Sequence, residues 1–91
     1  GVSTLSSVYN DKMNDKMRRG DELAKTLIPC TGNGDVEEAR RILSQYRFDG
    51  TLAGALNSAT AAAIEAQRLK DGTISSAPHL QRFREWCRTL V

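Results

Sequence analysis

The chain has little of what usually marks a catalyst, a metal site or a disulfide scaffold. Histidine occurs once, at His79, and cysteine twice, at Cys30 and Cys87. Without a Cys-x-x-Cys or His-x-x-x-His spacing, these three residues make no zinc site. His79 and Cys87 fail as a nucleophile–base pair, because the helix between them separates them by about 12 Å. His79 reads instead as an exposed residue near a helix start. Two cysteines are too few for a stapled scaffold, so the expected setting is reducing, hence intracellular and cytoplasmic. Aromatic residues make up only 5% of the chain. No stretch alternates Val, Ile and Thr as a half-buried strand does.

Long hydrophobic runs are missing too. None approaches the ~18 residues of a membrane span, and no secretory signal pattern opens the chain. A soluble protein with no membrane partner is expected. Nor does one sign of charge dominate: 13 Lys and Arg face 11 Asp and Glu, a net +2. That balance does not by itself call for nucleic acid. Gly32-Asn33-Gly34 lacks the Gly-Lys-Ser/Thr ending of a phosphate loop. Asp49-Gly50 and Asp71-Gly72 lack the acidic ligands that precede the glycine of an EF-hand. No catalytic residue, metal or cofactor is expected, and the chain is not read as an enzyme.

What remains is helical. The 91 residues fit one small domain, residues 1–91, which buries roughly 60–65% of its unfolded surface. Ala and Leu carry most of the apolar content, which favours helices. Leu5, Tyr9, Met13 and Met17 recur every four residues, extended by Ala24, Leu27 and Ile28, and predict a first helix near 4–28. Within it the tetrapeptide Asn-Asp-Lys-Met occurs twice, at 10–13 and 14–17. Gly20 is a weak point that divides this helix if it breaks, and Pro29 is expected to end it. After a loop over Thr31–Gly34, Asp35 and Glu38 form a capping box for a second helix, 35–47. Thr51 caps a third, 51–70, with Leu52, Leu56, Ala59, Ala63 and Ala66 as its stripe. Ser75 or Ser76 caps a fourth, 76–90, with Leu80, Phe83, Cys87 and Leu90 inward. Short connections favour antiparallel neighbours. The expected fold is an all-α, compact antiparallel bundle of four helices, or five if Gly20 divides the first. In that topology Cys30 and Cys87 sit at opposite ends and remain free thiols.

Two functional readings follow. The first is a helical protein-interaction module that offers an apolar helix face to another protein or to a second copy of itself. Its contacts are Tyr9, Met13 and Met17 on one stripe, or Phe83 and Trp86 at the other end of the chain, because Met and aromatic residues suit adaptable docking surfaces. The second is nucleic-acid binding, or an accessory role in a replication or transcription complex. It would use the clusters Arg18 and Arg19, Arg40 and Arg41, and Arg82, Arg84 and Arg88. Acids interleave with these, and Asp15 with Arg19 and Glu37 with Arg41 have favourable i, i+4 spacing. The small size and a start at Gly1 rather than Met fit an excised domain, a trimmed fragment or a processed product such as a viral or phage cofactor.

Overall fold

Four helices follow one another in the computed structural model: α1 (Val2–Gly32), α2 (Val36–Leu43), α3 (Leu52–Asp71) and α4 (Pro78–Leu90). The structure describes residues 2–32 and 34–91, with side chains for 11–32 and 34–91, and these residues contain no strand. The fold is an all-α bundle of four helices, as the apolar periodicity predicts.

Gly20 does not divide α1. It is buried, and a Cβ placed on it would lie 2.6 Å from the Arg88 Cα and 2.8 Å from the Arg88 backbone N. The glycine is where α4 crosses α1 with backbone nearly touching backbone. The missing side chain serves packing between helices rather than a break within one. Val91 lies beside Asp15 and Arg19, and Arg88 faces Gly20. α4 therefore runs antiparallel to α1.

Pro29 does not end α1 either, since the helix continues to Gly32. A proline inside a helix removes one hydrogen bond and crowds the preceding turn, a cost of about 3 kcal/mol. Here it falls in the final turn on the exposed side, while Leu27 and Cys30 on either side of it are buried. Their packing holds the last turn against the local preference. Thr31 Oγ1 donates to the Ile28 carbonyl at 2.7 Å, and the Asp35 N–H to the Cys30 carbonyl at 2.9 Å. Of the expected loop, Thr31 and Gly32 thus belong to α1, Asn33 lies outside the described residues, and Gly34 turns the chain at φ 70°.

The remaining helices begin largely where their caps predict. The Glu38 N–H donates to Asp35 Oδ1 at 3.2 Å, and the Gly54 N–H to Thr51 Oγ1 at 3.0 Å. α2 stops at Leu43 instead of 47, because Gln45 and Tyr46 donate to the carbonyls three residues back and tighten the chain out of the helix. α3 ends on Gly72 in the left-handed conformation, φ 76°. α4 starts two residues later than expected, and neither Ser75 nor Ser76 caps it. Ala77 occupies the cap position with no side-chain hydrogen bond. Instead the Leu80 N–H donates to Glu65 Oε1 of α3 at 2.9 Å. A carboxylate from a neighbouring helix satisfies a donor that the first turn leaves open.

The core joins Leu23, Ala24 and Leu27 of α1 to Ala39, Ile42 and Leu43 of α2, Ala55, Ala59 and Ala62 of α3, and Phe83 and Cys87 of α4. On α3 the buried line is thus 55, 59 and 62, rather than the expected 56, 59 and 63, with Leu52 and Leu56 half-buried. The helix carries alanine on nearly every side, so periodicity alone leaves its inward face open by a residue. The molecule measures 50 × 34 × 16 Å. Its long axis is close to the ~46 Å of a 31-residue helix at 1.5 Å per residue, so α1 runs the length of the molecule. Its buried residues among those described all lie between Gly20 and Cys30.

Both cysteines are free and buried. Along α1, Cys30 lies about 15 Å from Gly20, where α4 brings Arg88 and its neighbour Cys87. Burial pushes the Cys87 thiol up to about 12 and raises that of Cys30 as well. A thiol that is neutral and enclosed does not attack a disulfide reagent. Folded protein at neutral pH is expected to leave both thiols unreacted towards an aromatic disulfide, while denatured protein titrates two. Prompt reaction of Cys87 in the folded state would contradict the packing of α4 on α1, and prompt reaction of Cys30 the enclosure of the end of α1.

Candidate partner-binding surfaces

Two surfaces carry the exposed chemistry, one on α1 and one between α3 and α4. From Asp11 to Arg19 every residue of α1 is exposed. Met13 is 49% and Met17 42% exposed, although methionine is among the residues most often buried. At 3.6 residues per turn, Met13 and Met17 form one line along this stretch. Lys12 and Lys16 lie along one edge of it and Asn14 along the other. Asp11 and Asp15 fall on the opposite side of the helix, where Asp15 pairs with Arg18. A shallow hollow of about 500 Å³, lined by Asp11, Lys12, Asp15, Lys16 and Arg19, lies where Val91 meets this stretch. The methionine line looks away from it. Tyr9, expected on the same stripe, lies outside the described side chains.

The second surface is a hollow of about 490 Å³ between the start of α3 and the middle of α4. Phe48, from the α2–α3 connection, stands edge-on to Trp86, with centroids 5.7 Å apart and planes at 78°. Phe83 also lies 5.7 Å from Trp86, its plane tilted by 34°. The three rings form an apolar floor. Phe83 is only 2% exposed and belongs to the core, so it is not a free contact residue as the sequence suggested. Trp86 is half-buried and keeps part of its ring available. His79 and Arg82 form the rim, with Arg82 Nη2 3.0 Å from His79 Nδ1. His79 is exposed in the first turn of α4, as expected.

The arginines expected to form a nucleic-acid surface are mostly committed elsewhere. Arg84 and Arg88 both grip Asp21 of α1, with Nη2–Oδ2 at 2.8 Å and Nη2–Oδ1 at 3.0 Å. Arg84 in particular holds the Asp21 carboxyl below its usual range, against the opposing effect of burial, and Arg88 adds to the lowering. Arg40 pairs with Glu37, Arg41 with Glu38 and Arg18 with Asp15. These pairs use i, i+3 spacing, not the expected i, i+4 of Asp15 with Arg19 and Glu37 with Arg41. Among the described residues, Arg19 and Arg82 have no carboxylate partner at ion-pair distance. Asp21, Phe48 and Glu65 were not singled out by the sequence, because each acts through a contact with a distant helix.

No described helix is long and apolar enough to cross a membrane, and no cluster of three or more metal-ligating side chains occurs among the described residues. No protein-family model, curated protein or solved structure matches the chain.

Proposed function

We propose that this protein is a non-enzymatic interaction module whose exposed Asp11–Arg19 stretch of α1 docks a helix of a different protein. The observation that carries this reading is the line of Met13 and Met17, held in solvent on a helix whose described residues are buried only between Gly20 and Cys30. Methionine fills an irregular apolar groove at low cost in fit, which suits it to a docking face. The edges of the line argue for the kind of partner. Lys12 and Lys16 border it, and the acids of this stretch point away. In a two-fold antiparallel pair of copies each edge would meet the same edge of its mate, setting lysine against lysine. A partner helix with an apolar stripe bordered by Asp or Glu complements the surface instead.

The test uses two synthetic helical peptides with the same leucine stripe, one bordered by glutamates and one by lysines. The glutamate peptide is expected to bind, and the lysine peptide to bind at least tenfold more weakly. Burying a methionine side chain is worth about 1.5–3 kcal/mol. Met13 and Met17 are already about half covered, at 49% and 42% exposed, so Met13→Glu with Met17→Glu is expected to weaken the glutamate peptide by 10- to 100-fold, with the unfolding temperature unchanged because neither residue belongs to the core. Equal affinity for both peptides, or no effect of the paired substitution, would overturn the reading.

A further inference from the structure

We propose that the hollow between α3 and α4 is a second binding site, for an extended peptide that lays a bulky apolar side chain on Trp86 and a carboxylate against Arg82. This site is separate from the methionine line of α1 and does not depend on it. Its volume, about 490 Å³, lies within the range of ligand pockets. It has room for a few side chains rather than the face of a helix. Its floor is apolar and built from the Phe48, Trp86 and Phe83 rings. Gly50 helps to keep the hollow open beside Phe48, since a Cβ there would come 3.0 Å from the Phe48 ring.

The charge on the rim decides what fits. No acidic residue lines the hollow, and His79 and Arg82 are its titratable groups. Arg82 is the exception among the arginines of α4, because Arg84 and Arg88 are both bonded to Asp21. Among the described residues its guanidinium has no ion pair, and its hydrogen-bond partner is the His79 ring, with Nη2 3.0 Å from Nδ1. An incoming carboxylate gains a charge-assisted hydrogen bond there without displacing another anion. One guanidinium without an acid, beside three rings, matches one carboxylate beside one large apolar side chain. A nucleic-acid strand needs several phosphates neutralised together, and the nearest arginines on α4 are already held by Asp21.

Trp86 is the only tryptophan in the chain, so its emission reports on the hollow directly. The folded protein is titrated with three probes: the acetylated peptide amide Glu-Phe-Leu, its Gln-Phe-Leu counterpart and adenosine monophosphate. The glutamate peptide is expected to shift the Trp86 emission saturably, with the glutamine peptide at least tenfold weaker and the nucleotide without effect. Arg82→Gln is expected to remove that tenfold preference and leave the glutamine peptide unchanged. Ser58→Leu, an exposed lining position on α3, is expected to block both peptides in a protein whose circular dichroism is unaltered. Equal affinity of the two peptides, tighter binding of the nucleotide, or no saturable response to millimolar glutamate peptide would overturn the assignment.

Discussion

Gly20→Ala is expected to lower the unfolding free energy by about 1–3 kcal/mol, the usual cost of forcing an extra carbon into a packed contact. The sign is the informative part. In an exposed helix interior the same change stabilises by about 1 kcal/mol, because alanine gives up less backbone freedom than glycine. At position 20 the new methyl would fall against Arg88 Cγ and 2.6 Å from Arg88 Cα. A side chain can swing away, but the backbone of α4 cannot move without lifting Phe83 and Cys87 from the core. Gly32→Ala is the matched control, since a Cβ there meets nothing within 4 Å and the residue does not need a positive φ. It is expected to be neutral or slightly stabilising. For a chain of this size, a loss of 1 kcal/mol lowers the melting temperature by about 4–8 °C, so a thermal melt separates the two variants. If Gly20→Ala instead stabilised the protein as Gly32→Ala does, the crossing of α1 and α4 would be elsewhere.

The second large effect belongs to Asp21. Its carboxylate joins Arg84 and Arg88 across the same crossing, and its side chain is 22% exposed. Asp21→Asn removes the charge but not the shape, leaving two guanidinium groups side by side with no anion between them. Arg84 is 44% exposed and partly screened by water, so the more enclosed Arg88, at 25%, carries more of the loss. A net cost of about 1–2 kcal/mol is expected near neutral pH. Its pH dependence follows from the depressed carboxyl. The stabilisation is complete above the ordinary value of 3.8 and is lost as pH falls through the lower folded value. Urea unfolding is expected to show a constant gap between wild type and Asp21→Asn from about pH 5 to pH 8, closing in stronger acid as Asp21 becomes protonated. A gap that persisted unchanged at low pH would place the effect in packing, not charge.

These two residues also show where sequence reading stops. The helices themselves were legible, because stripes such as Leu80, Phe83 and Cys87 and caps such as Asp35 and Thr51 are local patterns. Gly20 and Pro29 misled for one reason: local rules treat glycine and proline as helix breakers. Whether they break a helix depends on what packs against them. α4 lies on Gly20, and the buried Leu27 and Cys30 brace Pro29. The cap that Glu65 supplies to α4 lies fifteen residues away and on another helix, so no local motif announces it.

The candidate surfaces divide in the same way. Met13 and Met17 were legible as a stripe, and their exposure follows from how few partners α1 meets over Asp11–Arg19. Phe83 and Trp86 were legible as an aromatic end, but the division of labour between them was not. Phe48 arrives from the α2–α3 connection and packs edge-on against Trp86, while the core takes Phe83. The arginine clusters were legible as charge interleaved with acids, but not which acid each arginine takes, since the local pairs form at i, i+3 rather than i, i+4. Only the fold brings Asp21 between Arg84 and Arg88 and leaves Arg82 without an acid.

The most direct test of α1 as a docking helix for a different protein is the mass in solution. Sedimentation equilibrium would be run on the protein alone over a wide concentration range, and again with the glutamate-bordered helical peptide. A monomer of 10.0 kDa at every concentration, gaining the mass of one peptide in the mixture, is the predicted result. A dimer that forms with rising concentration and is abolished by Met13→Glu with Met17→Glu would contradict it, because the methionine line would then be the seat of a second copy.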